Sequence, residues 1–426
     1  MSALERPRLR PHLAAAAEGR GGYVIWDQLR LAERRVRLTH LEMSWLRLFD
    51  GTHTLKEIRA EVMARIDGRT PPLEAFARLV EKLDDALLLD SPRFRSRLRE
   101  YASKSIRPPS CTPSYGDDPA LLRRALNGFF TGPGGPGRPG PRKPDARFRA
   151  ALIPHIDYAR GGHTYAWAYK TLFERSSASL FVIVGTSHYS CERYTLTRKN
   201  FQTPLGIAPT DQSYIDRLVA HYGDGLFDDE VPAHLPEHSI ELEVVFLQYL
   251  FGATPFRIVP LLVGSFHDCV DSNRSPSEQD DIGRMIAALR AVEREMKEPI
   301  CYIISGDLAH IGPKFGDPRA VSPTFLTHSR RQDHAILQEL GGAASGRRPP
   351  AGAKKQGADV HRAPDPAAYF RVIAAESDAR RICGLPPTYT VIESLRPDRG
   401  ELLHYDQYVH PDGDESISFA SVVFYK

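Results

Sequence analysis

From about residue 148 onwards, short apolar runs alternate with amphipathic stretches. The runs have the length of strands and occur at 151–153, 180–184, 256–263 and 300–304. The stretches between them carry apolar residues at helical spacing. Strands that alternate with helices form a largely parallel sheet with helices on both faces. The pattern therefore predicts an α/β domain over residues 148–426, with the final run SISFASVVFY completing the sheet.

Residues 1–100 carry a different pattern and are predicted to form a small domain of their own. Two β-prone runs, at 23–26 and 35–38, precede three segments with apolar residues on one helical face. Thr54 and Glu57 fit a capping box at the start of the second of these helices. A hairpin with three short helices is typical of a winged-helix-like α+β domain.

Two segments rich in Gly, Pro and basic residues interrupt these patterns. Residues 101–147 contain the run TGPGGPGRPGPRKP, in which a packed helix or strand cannot form. We therefore predict that 101–147 is a linker between the two domains. Residues 341–366 have a similar composition and are predicted to be a low-complexity insertion on the surface of the second domain.

Bulk composition excludes several classes of protein. The net charge of +3 is too small to indicate a nucleic-acid-binding protein. The five cysteines are scattered and form no CxxC pair, which argues against a disulfide framework and against a cysteine zinc site. The first 20 residues lack the apolar run of a signal peptide, and no apolar run reaches the length of a membrane span. We therefore expect a cytoplasmic protein that does not associate with membranes.

Candidate chemistry lies where the predicted strands end. Open α/β sheets bind ligands at the carboxyl ends of their strands, so residues that follow several strands are expected to share one pocket. A single histidine there is usually a hydrogen-bonded loop residue, but four polar strand ends in one sheet favour a common site. The residues concerned are His155 with Asp157, His188 with Tyr189, His267 with Asp268, and Asp307 with His310.

His238 and Glu241 lie at the start of an apolar helix in the run PEHSIELEVVFLQYLF. Pro236 and Glu237 at this helix opening suit the helix dipole, so a capping role explains the run. The alternative is that His238 lies at the same rim as the strand-end residues. The residues alone leave both interpretations open.

A resemblance to a known family bears on this choice. The ordered series PHIDYARGGHTYAWAYK, VIVGTSHY, TPLGIAPTD, EHSIELEVVFLQYL, RIVPLLVG, ISGDLAHIGPKF and ICGLPPTYTVIESL resembles the Memo family, whose bacterial members are called AmmeMemoRadiSam system protein B. The resemblance covers residues 148–426. It implies a fold related to the class III extradiol dioxygenases, the LigB-like enzymes, in which two histidines and a carboxylate hold a non-haem iron.

The resemblance also implies roles for individual residues. The two metal histidines of the family fall on His155 and His188, and the histidine of its EHSIE motif falls on His238. The aspartate and histidine of its last polar motif fall on Asp307 and His310.

Two departures from the family pattern affect the metal site. Asp157 adds a carboxylate beside the retained Tyr158, and Ala309 stands where eukaryotic members have a cysteine taken to complete the site. Two imidazoles hold a divalent metal loosely, so a third ligand is needed. The candidates for that third ligand are Asp307, Asp157, His238 and Glu241. Cys383, in the CGLPP motif, is interpreted as a small buried residue.

These considerations give a set of predicted roles around one iron or copper ion. The predicted metal ligands are His155, His188 and Asp307; the predicted catalytic groups are His238, His310 and Asp157; and the predicted binding residues are Tyr158, Tyr189 and Glu241.

The first domain carries a second resemblance. The run LRLFDGTHTLKEI is similar to PqqD-like domains, which bind leader peptides at an exposed strand edge. A purely structural domain and a DNA-binding winged helix share the pattern, but the slight basic excess forms no recognition stripe, so nucleic acid is the least favoured partner. Together with the family's name, this resemblance predicts a radical-SAM enzyme and a peptide or protein substrate as partners.

Three functions remain open from the sequence. The first is a metal-dependent redox enzyme related to the dioxygenases, which the histidine pair favours. The second is a non-catalytic protein that binds a peptide or other ligand in a vestigial dioxygenase site, which Ala309 favours. The third is a metal-dependent hydrolase with Glu241 as its base, which has the least support.

Overall fold

The chain divides into two compact units, Met1–Ser105 and Ile106–Lys426. Most of the predicted insertion at 341–366 lies outside the described residues. The structure, a computed structural model, describes residues 4–19, 21–32, 34–65, 71–252, 254–342 and 363–426.

The first unit contains a three-stranded antiparallel sheet in the order β1–β2–β3. Its two predicted β-prone runs pair with each other as β2 and β3, and β1 adds an edge strand that the sequence pattern did not indicate. The elements are β1 (Leu13–Ala17), β2 (Tyr23–Asp27), β3 (Val36–Leu38), α1 (His40–Trp45), α2 (Leu55–Met63), α3 (Leu73–Asp85) and α4 (Pro92–Ser103).

Local capping and a compact core hold this unit together. Thr54 and Glu57 form the predicted capping box at the start of α2. On α3, Phe76 and Leu83 are completely buried, and they pack in one cluster with Ile58 of α2. The helical spacing of the apolar residues therefore produced a core as expected.

The second unit is built on an eight-stranded mixed sheet. The strand order is β12–β14–β5–β11–β6–β10–β7, and β13 pairs with β14. The four central strands β5, β11, β6 and β10 are parallel, and the strands outside them are antiparallel. These strands are β5 (Phe148–Ile153), β6 (Leu180–Thr186), β7 (Tyr194–Leu196), β10 (Arg257–Val263), β11 (Ile300–Ser305), β12 (His310–Ile311), β13 (Arg399–Val409) and β14 (Ser416–Tyr425). The predicted parallel-rich sheet is confirmed, and the C-terminal strand pairs antiparallel with β5.

Helices cover both faces of this sheet and bury one apolar cluster on each side. A small second sheet, β4 (Ile106–Arg107), β8 (Asn200–Thr203) and β9 (Gly206–Ala208), lies in the same unit. The helices are α5 (Thr112–Tyr115), α6 (Pro119–Thr131), α7 (Tyr158–Arg175), α8 (Gln212–Tyr222), α9 (Glu230–His234), α10 (Glu241–Phe251), α11 (His267–Ser272), α12 (Asp280–Glu295), α13 (Pro323–Glu339), α14 (Pro366–Ala374) and α15 (Leu385–Leu395).

The segment 101–147 differs from the predicted linker. Its residues from 106 onwards belong to the second unit, and α6 within it buries Leu122, Leu126 and Phe130 against the core. These three residues lie at i, i+4 and i+8, which is the spacing of one helical face. The composition of 101–147 misled the prediction because Gly and Pro dominate only the stretch after α6. Even that stretch is bonded to the helix, since Gly137 donates its backbone N–H to the carbonyl of Phe130.

Helix α10 is buried along most of its length, and Glu243 lies in its first turn. Tyr169 donates a hydrogen bond of 2.7 Å to the Glu243 carboxyl. Burial raises the pKa of Glu243 well above its ordinary value, although the Tyr169 hydroxyl opposes this. The folded protein therefore keeps a proton on Glu243 at a pH at which the unfolded chain has lost it.

We expect Glu243→Gln to increase stability at alkaline pH. The folded-state pKa is the higher one, so the wild type loses stability as pH rises above the unfolded value of about 4.3. The amide removes this loss and should raise the free energy of unfolding at pH 8 by about 1–3 kcal/mol. Urea denaturation at pH 4 and pH 8 measures the effect, which should vanish at the lower pH. An equal change at both values would contradict the argument.

No helix in the part of the chain that the structure describes has the length and apolarity needed to cross a bilayer.

Candidate functional site

Three histidines meet at the carboxyl ends of the central strands. His155 follows β5, His188 follows β6, and His238 precedes α10. The ring centroid of His155 lies 5.1 Å from the ring centroid of His188 and 5.1 Å from that of His238. The ring centroids of His188 and His238 are 4.8 Å apart. The sequence-based expectation that strand-end groups share one pocket is met for these residues, and His238 joins them at the rim.

A buried carboxylate, Glu237, fixes two of these histidines. Its oxygens lie 3.0 Å from Nδ1 of His188 and 3.2 Å from Nδ1 of His238, and they accept the backbone N–H groups of His188, His238 and Ser239. Burial alone would raise the pKa of Glu237, but the charges and hydrogen bonds of the histidines hold it well below its usual range. Glu237 is therefore an ionised acceptor that leaves Nε2 of His188 and of His238 free.

The pKa values of His155 and His188 are shifted in opposite directions. Burial lowers the pKa of His155 well below its ordinary value, and the neighbouring histidines lower it further. Burial also acts to lower the pKa of His188, but the charge and hydrogen bond of Glu237 outweigh it and the pKa is raised. His155 is thus a neutral imidazole at pH 7, which is the form that binds a metal.

Cys383 lies against His155. Its Sγ is 3.2 Å from Nε2 of His155, while Nδ1 of His155 faces the Ser305 hydroxyl at 3.4 Å. The interpretation of Cys383 as a small buried residue is therefore corrected, because the thiol is half-buried and faces the histidines. Burial raises the pKa of the thiol well above its ordinary value, and the nearby Asp307 adds to this.

The backbone contact that delivers this thiol involves two glycines. Gly384 donates its N–H to the carbonyl of Asp307 at 3.0 Å, and a Cβ on Gly306 would lie 2.5 Å from the Cα of Gly384. Gly384 has a φ of −74°, which any residue can adopt. Glycine is needed at this position because a Cβ would collide with the neighbouring backbone.

Asp307 and His310 complete the polar floor of the site. Asp307 accepts the backbone N–H of His155 at 3.0 Å, and burial raises its pKa to about 7. Nδ1 of His310 lies 3.1 Å from the Leu308 carbonyl and 3.0 Å from that of Arg381, and burial lowers the pKa of His310 to about 4. Both residues therefore lie where the sequence analysis placed them.

Ligand atoms converge in three overlapping groups. In each group the atoms lie within 4.8 Å of one another: His155, His188 and Cys383; His188, Glu237 and His238; and Asp307, His310 and Cys383. Cys383 is common to two of the groups. Ala309, by contrast, is buried and donates only its backbone N–H to Ser418. A thiol is thus present in the site although the position of Ala309 cannot supply one.

Some predicted site residues have structural partners elsewhere. Asp157 caps α7 and pairs with Arg160 at 2.6 Å, so it is not brought to the histidines. The Tyr158 hydroxyl is buried and donates to the Leu242 carbonyl at 2.6 Å. Tyr189 remains beside the site, with its ring centroid 6.5 Å from that of His188.

Glu241 is also held away from the histidine cluster. It is completely buried and pairs with the equally buried Arg107 of β4. It also accepts hydrogen bonds from Ser110 and from the hydroxyl of Tyr115. The predicted role of Glu241 in binding is therefore corrected to a structural one, in which every carboxylate oxygen is occupied by the segment predicted to be a linker.

Sequence reasoning missed Glu237 and Cys383 as site residues. Glu237 directly precedes His238 and was explained by the helix dipole, although a carboxylate beside a candidate ligand histidine is a signal for an orienting role. Cys383 begins the CGLPP motif, and its partner His155 lies far away in sequence. The CGLPP motif was therefore recognised, but the contact of its cysteine with His155 was not predicted.

Comparison with known proteins now fits this geometry. The sequence model of a family described as "Memo-like protein" matches residues 107–423, which include every residue of the site. The chain belongs to the Memo family. The matched region begins inside the predicted linker, in agreement with the boundary between the two structural units.

Several relatives of this Memo chain share much of its length. A MEMO1 family protein of Aquifex aeolicus is 25% identical over 95% of this chain and 96% of its own length. A MEMO1 family protein of Thermus thermophilus is 30% identical over 67% of this chain and 80% of that protein. A memo-1 homologue of Caenorhabditis elegans is 27% identical over 67% of this chain and 74% of that protein.

We expect Glu237→Gln to weaken metal binding at this Memo site. The amide keeps the shape of the carboxylate but loses the charge that orients His188, and such outer-shell changes cost about 10–100-fold in affinity. Competition with a coloured chelator measures the change. Glu295→Gln, an exposed carboxylate on α12, is the control and should bind metal as the wild type does. Unchanged affinity in Glu237→Gln would show that the carboxylate only caps a loop.

Proposed function

We propose that this protein is a mononuclear metal-dependent redox enzyme, related in its chemistry to the extradiol dioxygenases, with iron or copper held by His155, His188 and Cys383. The single observation that supports this proposal is the donor set, in which two imidazoles and a thiol converge within 4.8 Å. Asp307 borders the same site and is the candidate fourth ligand. The proposal revises the third ligand that the sequence indicated.

The residues fit a soft or borderline transition metal. Thiolate and imidazole ligands suit copper and iron, whereas magnesium and calcium prefer oxygen ligands. Glu237 on Nδ1 of His188 makes the carboxylate–histidine arrangement that fixes a ligand's tautomer and increases its basicity. The raised pKa of Cys383 is no obstacle, because a coordinating thiol is deprotonated by the metal's charge.

The bound ion would supply open coordination positions and a redox couple for oxygen and substrate. The chain's own residues supply proton transfer. His310, with its pKa of about 4, is neutral at pH 7 and accepts a proton through Nε2, because Nδ1 is held by backbone carbonyls. When Asp307 is not bound to the ion, its pKa of about 7 lets it exchange a proton near neutral pH. His238, fixed by Glu237, is the third acid–base candidate.

Hydrolysis has less support than redox chemistry. Its candidate base was Glu241, and the ion pair of that residue with Arg107 leaves it no free oxygen for a water molecule. A ligand-binding protein with a vestigial site remains the alternative, and the metal content of the purified protein separates it from an enzyme.

The test is elemental analysis of protein purified without oxygen. We expect about one equivalent of iron or copper in the wild type and less than about a tenth of that in His155→Ala/His188→Ala, since both imidazole ligands are gone. His221→Ala/His410→Ala, which removes two surface histidines, is the matched control and should keep its metal. Absence of metal from the wild type, also after reconstitution with Fe(II) and Cu, would refute the redox proposal and favour the ligand-binding alternative.

We also propose that the first unit docks a partner, namely a radical-SAM enzyme or its peptide substrate. The support is its edge strand β1, which pairs on one side with β2 and borders a groove of about 700 Å³. Apolar residues from β1, β2 and α1, including Leu13, Ile25 and Met43, line this groove. A peptide that adds a strand to β1 would place its side chains there.

Removing a backbone donor from the edge strand tests this docking. Ala15→Pro removes the backbone N–H of an edge residue, which a docked strand would need as a hydrogen-bond donor. This variant should no longer co-purify with the radical-SAM enzyme of the same organism. Ala64→Gly, at the end of α2, is a mild control. Undiminished co-purification of Ala15→Pro would exclude strand addition at β1.

A further inference from the structure

A compact pocket adjoins the metal-site cysteine. It encloses about 230 Å³, and Thr186, Ser187 and Cys383 form the wall that it shares with the histidine site. The opposite wall comes from the loop after β10 and from α11, which contribute Phe266 and Val270. The pocket therefore lies at the carboxyl ends of the strands, where α/β sheets bind their ligands.

The walls are mainly apolar. Phe266, Val270, Ile382, Leu385 and Pro386 line the pocket and are all buried. A cavity of about 150 Å³ with such a lining holds a benzene molecule. The present volume therefore admits one ring, or an aliphatic group of similar size, with a substituent of one or two atoms.

The charged groups of the walls are already engaged by the protein. Arg381 donates to Asp317 at 2.9 Å and to the His310 carbonyl at 3.1 Å. The Asp378 carboxyl accepts the backbone N–H of Ile382 at 2.8 Å. An ionised ligand would gain no uncompensated partner from either residue, so the walls favour a neutral occupant.

One polar atom of the pocket is unused. The Oγ of Ser187 is buried and has no hydrogen-bond partner among the described residues. Buried hydroxyls in native proteins are almost always satisfied by protein or water, so such an atom beside a cavity indicates a ligand group. His267 lies exposed at the mouth of the same pocket.

The loop that forms the third wall is held in a strained conformation. Ser377, Asp378 and Arg381 all have positive φ, at 51°, 45° and 54°. Non-glycine residues rarely adopt this conformation, and clusters of them occur at functional sites. This loop runs directly into Ile382 and Cys383, so its conformation fixes the pocket wall and the thiol together.

We propose that this pocket is the substrate pocket of the metal centre and that it takes a neutral, mainly apolar group of about one ring in size with a single hydrogen-bonding oxygen directed at Ser187. The inference rests on the proposed function, because the pocket acquires its role from the neighbouring metal. The same chemistry is offered by a free small molecule and by one side chain of a peptide.

Benzyl alcohol is the probe of choice, with binding followed by ligand-observed NMR on the metal-loaded full chain. We expect a Kd of about 1 mM or tighter, since burying the ring and satisfying one hydroxyl together provide about 4 kcal/mol. Benzylamine should bind at least about ten-fold more weakly, because its ionised group cannot coordinate the ion and is desolvated without a partner. Equal binding of benzylamine would overturn the inference.

Two variants assign the binding to this pocket. Val270→Trp fills the cavity and should abolish binding of benzyl alcohol. Ser187→Ala should weaken benzyl alcohol about three- to ten-fold and leave toluene unchanged, since only the hydrogen bond is lost. Benzyl alcohol that binds equally to the wild type and to a folded Val270→Trp would overturn the inference, and so would a Ser187→Ala variant that loses both probes equally.

Two further measurements distinguish a free molecule from a peptide side chain, and distinguish failure of the pocket proposal from failure of the metal proposal. N-acetyltyrosine amide, whose side chain carries a ring and a hydroxyl, binds as well as benzyl alcohol if the group is a peptide side chain, and not at all if the pocket serves a free molecule. Metal content is measured in the same samples. Metal without benzyl alcohol binding would overturn the pocket alone, whereas benzyl alcohol binding to a protein that never retains metal would overturn the proposed function.

Discussion

Cys383→Ala should lose metal affinity by at least about 100-fold, because it removes the anionic thiolate from the proposed ligand set of His155, His188 and Cys383. The remaining pair of neutral or partly charged imidazoles binds a divalent ion weakly. In the wild type, the thiolate should also give a charge-transfer absorption band with Cu(II) or Fe(III). Anaerobic chelator competition and visible spectroscopy measure the two effects.

A second cysteine provides the control for this prediction. Cys191 lies exposed in the loop after His188 and belongs to none of the ligand groups found among the described residues. Cys191→Ala should therefore keep both the affinity and the absorption band. Metal binding that survives Cys383→Ala with the band intact would show that the ligand set is wrong, and Asp307 would become the third ligand.

Arg107→Ala should destabilise the second unit by about 3–5 kcal/mol, because it leaves the buried carboxylate of Glu241 without its charge partner. The guanidinium is completely buried. It donates to Glu241, Ser110 and the carbonyls of His234 and Glu237. The burial of Glu241 would raise the pKa of its carboxyl, but Arg107 brings it below the ordinary value, so the pair is ionised in the folded state.

Denaturant titration compares this variant with an exposed pair. Arg97→Ala, in the Arg97–Glu100 pair on α4, should change the free energy of unfolding by less than about 1 kcal/mol. The double variant Arg107→Met/Glu241→Leu should recover only part of the loss. Replacing both partners removes the uncompensated charge, but the carbonyls bound by Arg107 and the backbone N–H groups bound by Glu241 stay unpaired. If Arg107→Ala proved as mild as Arg97→Ala, the segment that carries Arg107 would not be part of the folded core.

This ion pair also bears on the proposed metal site. Arg107 binds the backbone carbonyls of His234, Leu235 and Glu237, and Glu237 orients His188. The N-terminal segment of the second unit therefore positions the loop that holds the histidines. We expect Arg107→Ala to lower metal occupancy as a consequence of this loosened loop, in addition to its effect on stability.

Much of the fold followed from local patterns. Alternation of apolar runs with helical stretches is enough to predict parallel strands, since only a helical crossover joins them efficiently. Parallel strands have their carboxyl ends at one edge, so His155, His188 and Asp307 were expected to lie close together. The ring centroids of His155 and His188 are 5.1 Å apart, and Nε2 of His155 lies 3.8 Å from the Asp307 carboxylate. Helix α6 was missed because Gly and Pro after it dominated the composition of 101–147, while the apolar spacing of Leu122 and Leu126 was not weighed.

What the sequence by itself determined is therefore the part of the site that a single sheet edge dictates: strand-end residues converge because the sheet is parallel. The tertiary structure alone decided the rest, since contacts between distant segments have no local signal. Cys383 reaches His155 only because Gly306 and Gly384 allow two backbones to touch. Glu237 and Glu241 are only four residues apart in the sequence. Glu237 contacts the histidines, whereas Glu241 forms an ion pair with Arg107. Which carboxylate orients the histidines depends on which buried partner lies opposite it.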